Sequence, residues 1–209
     1  MDLFLSLDIF YILESISILA FALSGVVLAK RKSYDLVGVY IIACVTAFGG
    51  GTIRDVILDI QPVYWISHYE FPLILLILIT AICLIDYFKP VKISQDWLFW
   101  PDAMGLSFLT VTSAQMAYNL GLPTIVIAIL STIISCFGGI LRDILCQETP
   151  LIFKKNSPLH ASLVFLGACL FVLLNSLMIF TTPVTMVITA VTIFILRILA
   201  KSFNIVLKI

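Results

Sequence analysis

Six charged residues stand inside stretches of this sequence that are otherwise apolar: Glu14, Arg54, Asp55, Asp102, Arg142 and Asp143. Each Arg-Asp pair closely follows a glycine run. Phe48-Gly49-Gly50-Gly51-Thr52 precedes the first pair, and Cys136-Phe137-Gly138-Gly139 precedes the second. Ionisable groups in apolar spans are costly to place and mark routes for polar solutes. Glycine weakens a helix by about 1 kcal/mol per position relative to alanine, so both runs are read as helix breaks. The half-helix before each break would end on free carbonyls, which suit a cation. The half after it would begin with free N–H groups, which suit a carboxylate. Carbonyls near Gly50 and Gly138 are therefore expected to coordinate a dehydrating K⁺, in an ion pathway formed by the two glycine runs.

The charges have expected roles as gating or pore groups. Arg54 and Arg142 would each open a half-helix, where a cation opposes the dipole, so each should face a cavity or a carboxylate. Asp55 and Asp143 point about 100° away from their neighbouring arginines on a helix and are expected to cap free N–H groups. Glu14 and Asp102 are the expected partners. An unpaired arginine would instead attract a carboxylate and favour a small zwitterion as the transported species.

The surrounding composition sets the class. Of 209 residues, 62% are hydrophobic and 11% charged, against about 45–50% and about 25% in soluble domains. The chain is read as an all-α integral membrane protein. No Ser-His-Asp arrangement, metal-ligand cluster or soluble nucleotide-binding domain is legible, so it is not read as an enzyme, and no cofactor or nucleic-acid partner is expected. The five cysteines lack metal-ligand or CxxC spacing and read as small apolar fillers. The N-terminus has no basic region or small-residue cleavage site and reads as a retained first span.

A span needs about 20 apolar residues. Seven candidates result: 9–29, 36–59, 71–88, 97–118, 123–146, 159–180 and 183–203. Prolines fall in loops or near span ends. One set of alternate loops holds Lys30, Arg31, Lys32, Lys89, Lys92, Lys154 and Lys155, and the C-terminal end adds Arg197, Lys201 and Lys208. The positive-inside rule places the N-terminus outside and the C-terminus in the cytoplasm of a cell (inner) membrane protein. Trp65, Trp97, Trp100, Tyr64, Tyr69 and Tyr87 read as an aromatic belt. His68 and His160 read as interfacial, Asp35 as the cap of the second span, and the seventh span as packing.

Shifting the sequence by 88 residues superposes Glu14 on Asp102, Gly50-Gly51 on Gly138-Gly139 and Arg54-Asp55 on Arg142-Asp143. Spans one to three (8–90) correspond to spans four to six (96–180), with an extra helix at 183–203, in one membrane domain covering 1–209. Three spans per copy is odd, so the second copy enters the membrane inverted. Such repeats place transport sites between their broken helices.

The duplicated unit with GGGTIRD and GGILRD, the segment Ala22 to Gly25 and the segment Asp102 to Leu106 resemble the trimeric intracellular cation channels, most closely their short prokaryotic relatives. The resemblance implies a seven-helix protomer, a homotrimer, one pore per protomer, K⁺ as permeant ion and membrane lipid as a further contact. Animal members carry a Lys-Glu pair near the first glycines where this chain has Arg54-Asp55. Some bacterial relatives carry the name glycine transporter, so the resemblance implies either a cation channel or a small-zwitterion transporter.

Overall fold

The computed structural model describes residues 2–88, 94, 96–154 and 159–205. Among them are seven longer helices: α1 (Asp2–Arg31), α2 (Leu36–Ile57), α4 (Glu70–Phe88), α5 (Asp96–Asn119), α6 (Thr124–Leu145), α7 (Ala161–Ser176) and α8 (Thr182–Ser202). A one-turn helix, α3 (Tyr64–Ser67), follows α2, and a 3-10 turn, Leu151–Phe153, follows α6. The described residues form no strand. Lys89, Lys92, Lys155 and Lys208, counted above for orientation, and two of the prolines, Pro90 and Pro158, lie outside the described residues.

Among the described residues, five helices are long and apolar enough to cross a membrane: those in α1, α2, α4, α6 and α8. Helix α7 has 16 residues and falls short on length. Helix α5 is long enough but rich in hydroxyls, and its position explains why that is tolerated. It packs against α1, α6, α7 and α8. Its buried Ser107 and Thr110 hydroxyls donate to the carbonyls of Ala103 and Leu106 one turn back, at 2.7 and 2.6 Å, so neither of these two hydrogens is left without an acceptor. The outer faces carry exposed Ile41, Leu73, Ile77 and Leu166, as lipid-facing helices require. A groove of about 650 Å³ opens between α1, α4 and α5, lined by side chains such as Leu23, Ile85, Trp97 and Met104.

Local signals explain several helix ends. Asp35 accepts from the Gly38 N–H at 2.8 Å and caps α2, as expected. Pro123 and Pro183 stand at the starts of α6 and α8. Pro101 is carried inside α5, near its start.

The contacts fix relative directions. Tyr11 reaches Glu70, and Lys30 pairs with Asp86, so α1 and α4 run parallel. Ser17 donates to the Gly105 carbonyl and Glu14 bonds Thr112, so α1 and α5 run antiparallel. Gly50 lies against Ile134 and Gly138 against Thr46, so α2 and α6 are also antiparallel. Helices α1 and α5, and likewise α2 and α6, which hold residues 88 apart in sequence, thus run in opposite directions.

The expected breaks require correction. Helices α2 and α6 continue through Gly49–Gly51 and Gly138–Gly139 without interruption. The carbonyls near Gly50 and Gly138 therefore remain in the helix ladder, and the Phe48 carbonyl also accepts from Thr52 Oγ1 at 2.8 Å. The reason is energetic. Glycine costs about 1 kcal/mol per position in a helix, whereas a carbonyl left unpaired in the bilayer costs several. What the glycines provide is close approach. A Cβ at Gly50 would lie 2.7 Å from the Ile134 carbonyl oxygen, and one at Gly138 would lie 2.5 Å from that of Thr46.

Candidate functional site

Two buried charge clusters flank this glycine seam. In the first, Arg54 is fully buried on α2. Its Nη1 donates to Glu14 Oε1 on α1 at 2.8 Å, and its Nε donates to Asp55 Oδ1 at 2.8 Å. Glu14 Oε2 accepts from Thr112 Oγ1 on α5 at 2.6 Å. In the second, Arg142 on α6 donates through Nη1 to Asp102 Oδ1 on α5 and to Ser24 Oγ on α1, both at 2.9 Å. Its Nε donates to Asp143 Oδ1, also at 2.9 Å. The pairings expected for Glu14 and Asp102 are both present.

Two expectations about local geometry change. Because α2 and α6 are continuous, Arg54 and Arg142 occupy their last turns. A cation there is favoured by the dipole instead of opposed by it. Asp55 and Asp143 do turn back to their neighbouring arginines, and they also cap. Asp55 Oδ2 accepts from the Tyr64 N–H at 2.7 Å and Asp143 Oδ2 from the Leu151 N–H at 3.0 Å. Each therefore caps the short turn after its own helix, not a half-helix within the membrane.

The second cluster contains two residues that sequence reasoning placed elsewhere. Arg197, counted with the C-terminal basic residues, is buried at 4% exposure on α8. Its Nη2 lies 3.3 Å from Asp102 Oδ2 and 2.9 Å from His160 Nδ1. Guanidinium can only donate, so Nδ1 is the acceptor and the ring proton sits on Nε2, 3.8 Å from Asp102. His160 is thus a member of the cluster, and α8 supplies charge as well as packing. The available signal was an arginine set among Ile195, Leu196, Ile198 and Leu199. The hydroxyls of Ser24 and Thr112 were also missed. They fall 88 residues apart, so the repeat itself pointed to them.

The aromatic belt is partly a wall of the first cluster. Trp65 stacks on Phe48 at 5.0 Å and donates to Thr52 Oγ1 at 3.0 Å. Tyr64 packs edge-on against Phe10, over which Arg54 also lies, 5.9 Å from the ring centre. Tyr69, Tyr87, Trp97 and Trp100 remain exposed. Among the glycine-run residues, Gly50, Phe48, Cys136 and Gly138 are buried, while Gly49, Gly51, Thr52, Phe137 and Gly139 are partly exposed. Among the described residues, no group of three or more His, Cys, Asp or Glu could hold a metal ion.

Comparison with known proteins agrees with this arrangement. The family model described as "Glycine transporter" matches residues 11–87 and 99–176, two stretches whose starts are 88 residues apart. A UPF0126 membrane protein of Vibrio cholerae is 32% identical over 165 residues, covering 78% of this chain and 67% of the relative. The structure of a trimeric intracellular cation channel orthologue from Rhodobacter sphaeroides aligns with a TM-score of 0.83 at 28% identity, covering 94% of this chain and 98% of that one. A second solved TRIC cation channel aligns at 0.80 with 30% identity and 95% coverage of each chain. With matched stretches over most of its length and paired charge clusters across a glycine seam, the chain is a multi-pass membrane protein that belongs to the TRIC-related family described as glycine transporters.

Proposed function

We propose that this protein is a homotrimeric monovalent-cation channel, with K⁺ as the main permeant ion and one pathway in each protomer. The observation that carries the reading is the pair of buried charge clusters on either side of the α2–α6 seam. Ions would pass along that seam. Gly50 and Gly138 sit too close to the facing backbone to accept even a methyl group, so passage requires α2 and α6 to part. The arginine–carboxylate pairs then act as gating charges, because each holds one end of a seam helix to α1 or α5. The solved neighbours named as cation channels support this reading, and one of them is described as trimeric. All seven longer helices would span the membrane, with the N-terminus outside, in the cell membrane. Lipid would be the solvent of the outer faces, including the α1–α4–α5 groove.

A second reading, a transporter for a small zwitterion such as glycine, has its own support. The matching family model carries that description, and the buried Arg54 Nη2 has no partner among the described residues, leaving a donor for a carboxylate. Reconstitution into liposomes separates the two. A channel gives K⁺ flux without counterflow and without saturation at low concentration. Saturable glycine counterflow with negligible K⁺ current would reject the channel.

A further inference from the structure

The groove between α1, α4 and α5 shares no lining residue with either charge cluster. Its volume is about 650 Å³, and its walls are apolar except at one end. On α1 the lining residues recur at helical spacing from Ile16 to Lys30, so they form one continuous face. Ile16 and Lys30 are 14 positions apart, which is about 21 Å along a helix. The hydrocarbon of a bilayer is about 30 Å thick, so one leaflet supplies about 15 Å. The groove is long enough for a chain that enters from one leaflet and too short to cross both. Its polar end is the mouth. There Lys30 Nζ pairs with Asp86 Oδ2 at 2.9 Å, and Trp97 and Trp100 stand exposed near the start of α5. Indole rings take up this position at the level of lipid headgroups.

The charges at the mouth select the occupant. A second copy of the chain would cover the Lys30–Asp86 pair, and charged residues are depleted where interfaces are fully covered. The mouth carries one positive and one negative charge side by side, so an anionic headgroup meets repulsion as well as attraction. A zwitterionic headgroup matches both charges. We infer that the groove holds one acyl chain of an aminophospholipid, with its headgroup laid across Lys30 and Asp86. The lipid phosphate accepts from the Lys30 ammonium, which has three donors, and the lipid ammonium donates to the Asp86 carboxylate. A quaternary choline has no N–H to donate to that carboxylate. This lipid differs from the solvent of the outer faces in having one place and one headgroup. It binds whether K⁺ or glycine crosses the protein, and its binding is measured without flux.

The experiment is thermal unfolding of the purified full-length protein in detergent, with added phosphatidylethanolamine, phosphatidylcholine or phosphatidylglycerol of identical chains. Native mass spectrometry counts the lipid retained. A saturable rise of roughly 5–10 °C is expected at a hundredfold excess of phosphatidylethanolamine over its Kd, with a single lipid kept per protomer. The other two lipids should need about tenfold more, the loss of one hydrogen bond to a charged group. Phosphoethanolamine, which has no chains, should give no rise. Asp86→Asn should bring phosphatidylethanolamine down to the level of phosphatidylcholine. Leu23→Trp fills the groove from an exposed position and should abolish the saturable response to all three lipids at unchanged oligomer size. Equal stabilisation by the three lipids, or a preference for phosphatidylglycerol, would overturn the assignment. So would an undiminished headgroup preference in Asp86→Asn or an undiminished response in Leu23→Trp. Loss of the oligomer in Leu23→Trp, with no lipid response in the unsubstituted protein, would give the groove to a second copy instead. If Leu23→Trp does not fold, the headgroup preference of Asp86→Asn still decides.

Discussion

Arg54 shows how one buried side chain can be held by different obligations. It is bound to Glu14 and Asp55 and packed over Phe10. Removing it leaves two carboxylates buried together, and breaking a buried pair in this way costs about 3–5 kcal/mol. Glu14→Gln leaves a neutral amide whose oxygen can still accept from Arg54. Arg54→Ala is therefore expected to lower stability more than Glu14→Gln, as measured by thermal or denaturant melts in detergent. Equal losses would mean that Glu14 does not depend on Arg54 for its burial. Arg142→Ala should be milder than Arg54→Ala, since Arg197 stays within 3.3 Å of Asp102.

At the scale of elements, the glycines divide by what faces them. Gly50→Ala and Gly138→Ala would drive a methyl into a carbonyl of the partner helix. Overpacking of this kind costs about 1–3 kcal/mol, and both should part or distort the seam and change flux to a similar degree. At Gly51 and Gly139 the added Cβ meets its neighbours at 3.6 and 3.4 Å, an ordinary contact. There alanine should be tolerated and should gain up to about 1 kcal/mol of helix propensity. Flux and melting of the four single variants, side by side, check the division; equal damage at all four would refute it. The loops offer a pH prediction. Lys32 after α1 pairs with Glu148 after α6 at 2.9 Å. The hydrogen bond from Lys32 holds the Glu148 carboxyl below its ordinary value of 4.5, and the same bond raises Lys32 above 10.5. The lowered carboxyl contributes above its unfolded value and loses that contribution as pH falls through the folded one. The raised amine contributes below its unfolded value and loses it as pH rises through the folded one. The tie is thus whole across the neutral range. Glu148→Gln should reduce the acid-side fall in melting temperature and leave neutral-pH flux unchanged.

For the whole molecule, the pairings of Lys30 with Asp86 and Lys32 with Glu148 bring the ends of α1, α4 and α6 to one side. Tyr11, His68 and Glu70 meet at the other end of α1 and α4. If the basic ends face the cytoplasm, a cysteine placed at Lys154 in a chain stripped of native cysteines should label only from inside, and one at Tyr69 only from outside. Labelling of both from one side would reject the topology. The same preparation, cross-linked and sized, should give a trimer.

The sequence by itself determined the class, the helical content and the repeat, because these rest on composition and on identities 88 residues apart. It also pointed to Glu14 and Asp102 as the carboxylates the arginines need, since these are charges that an apolar span could not otherwise hold; the structure assigned Glu14 to Arg54 and Asp102 to Arg142. Only the tertiary structure decided that α2 and α6 run unbroken. Helix continuity in lipid depends on the neighbour that a glycine admits, and propensity cannot name that neighbour. It alone brought Arg197 and His160 to Asp102, because no local pattern records which face of α8 meets α5. The two repeats share their motifs, yet the balance of charge between their clusters comes from a helix outside both.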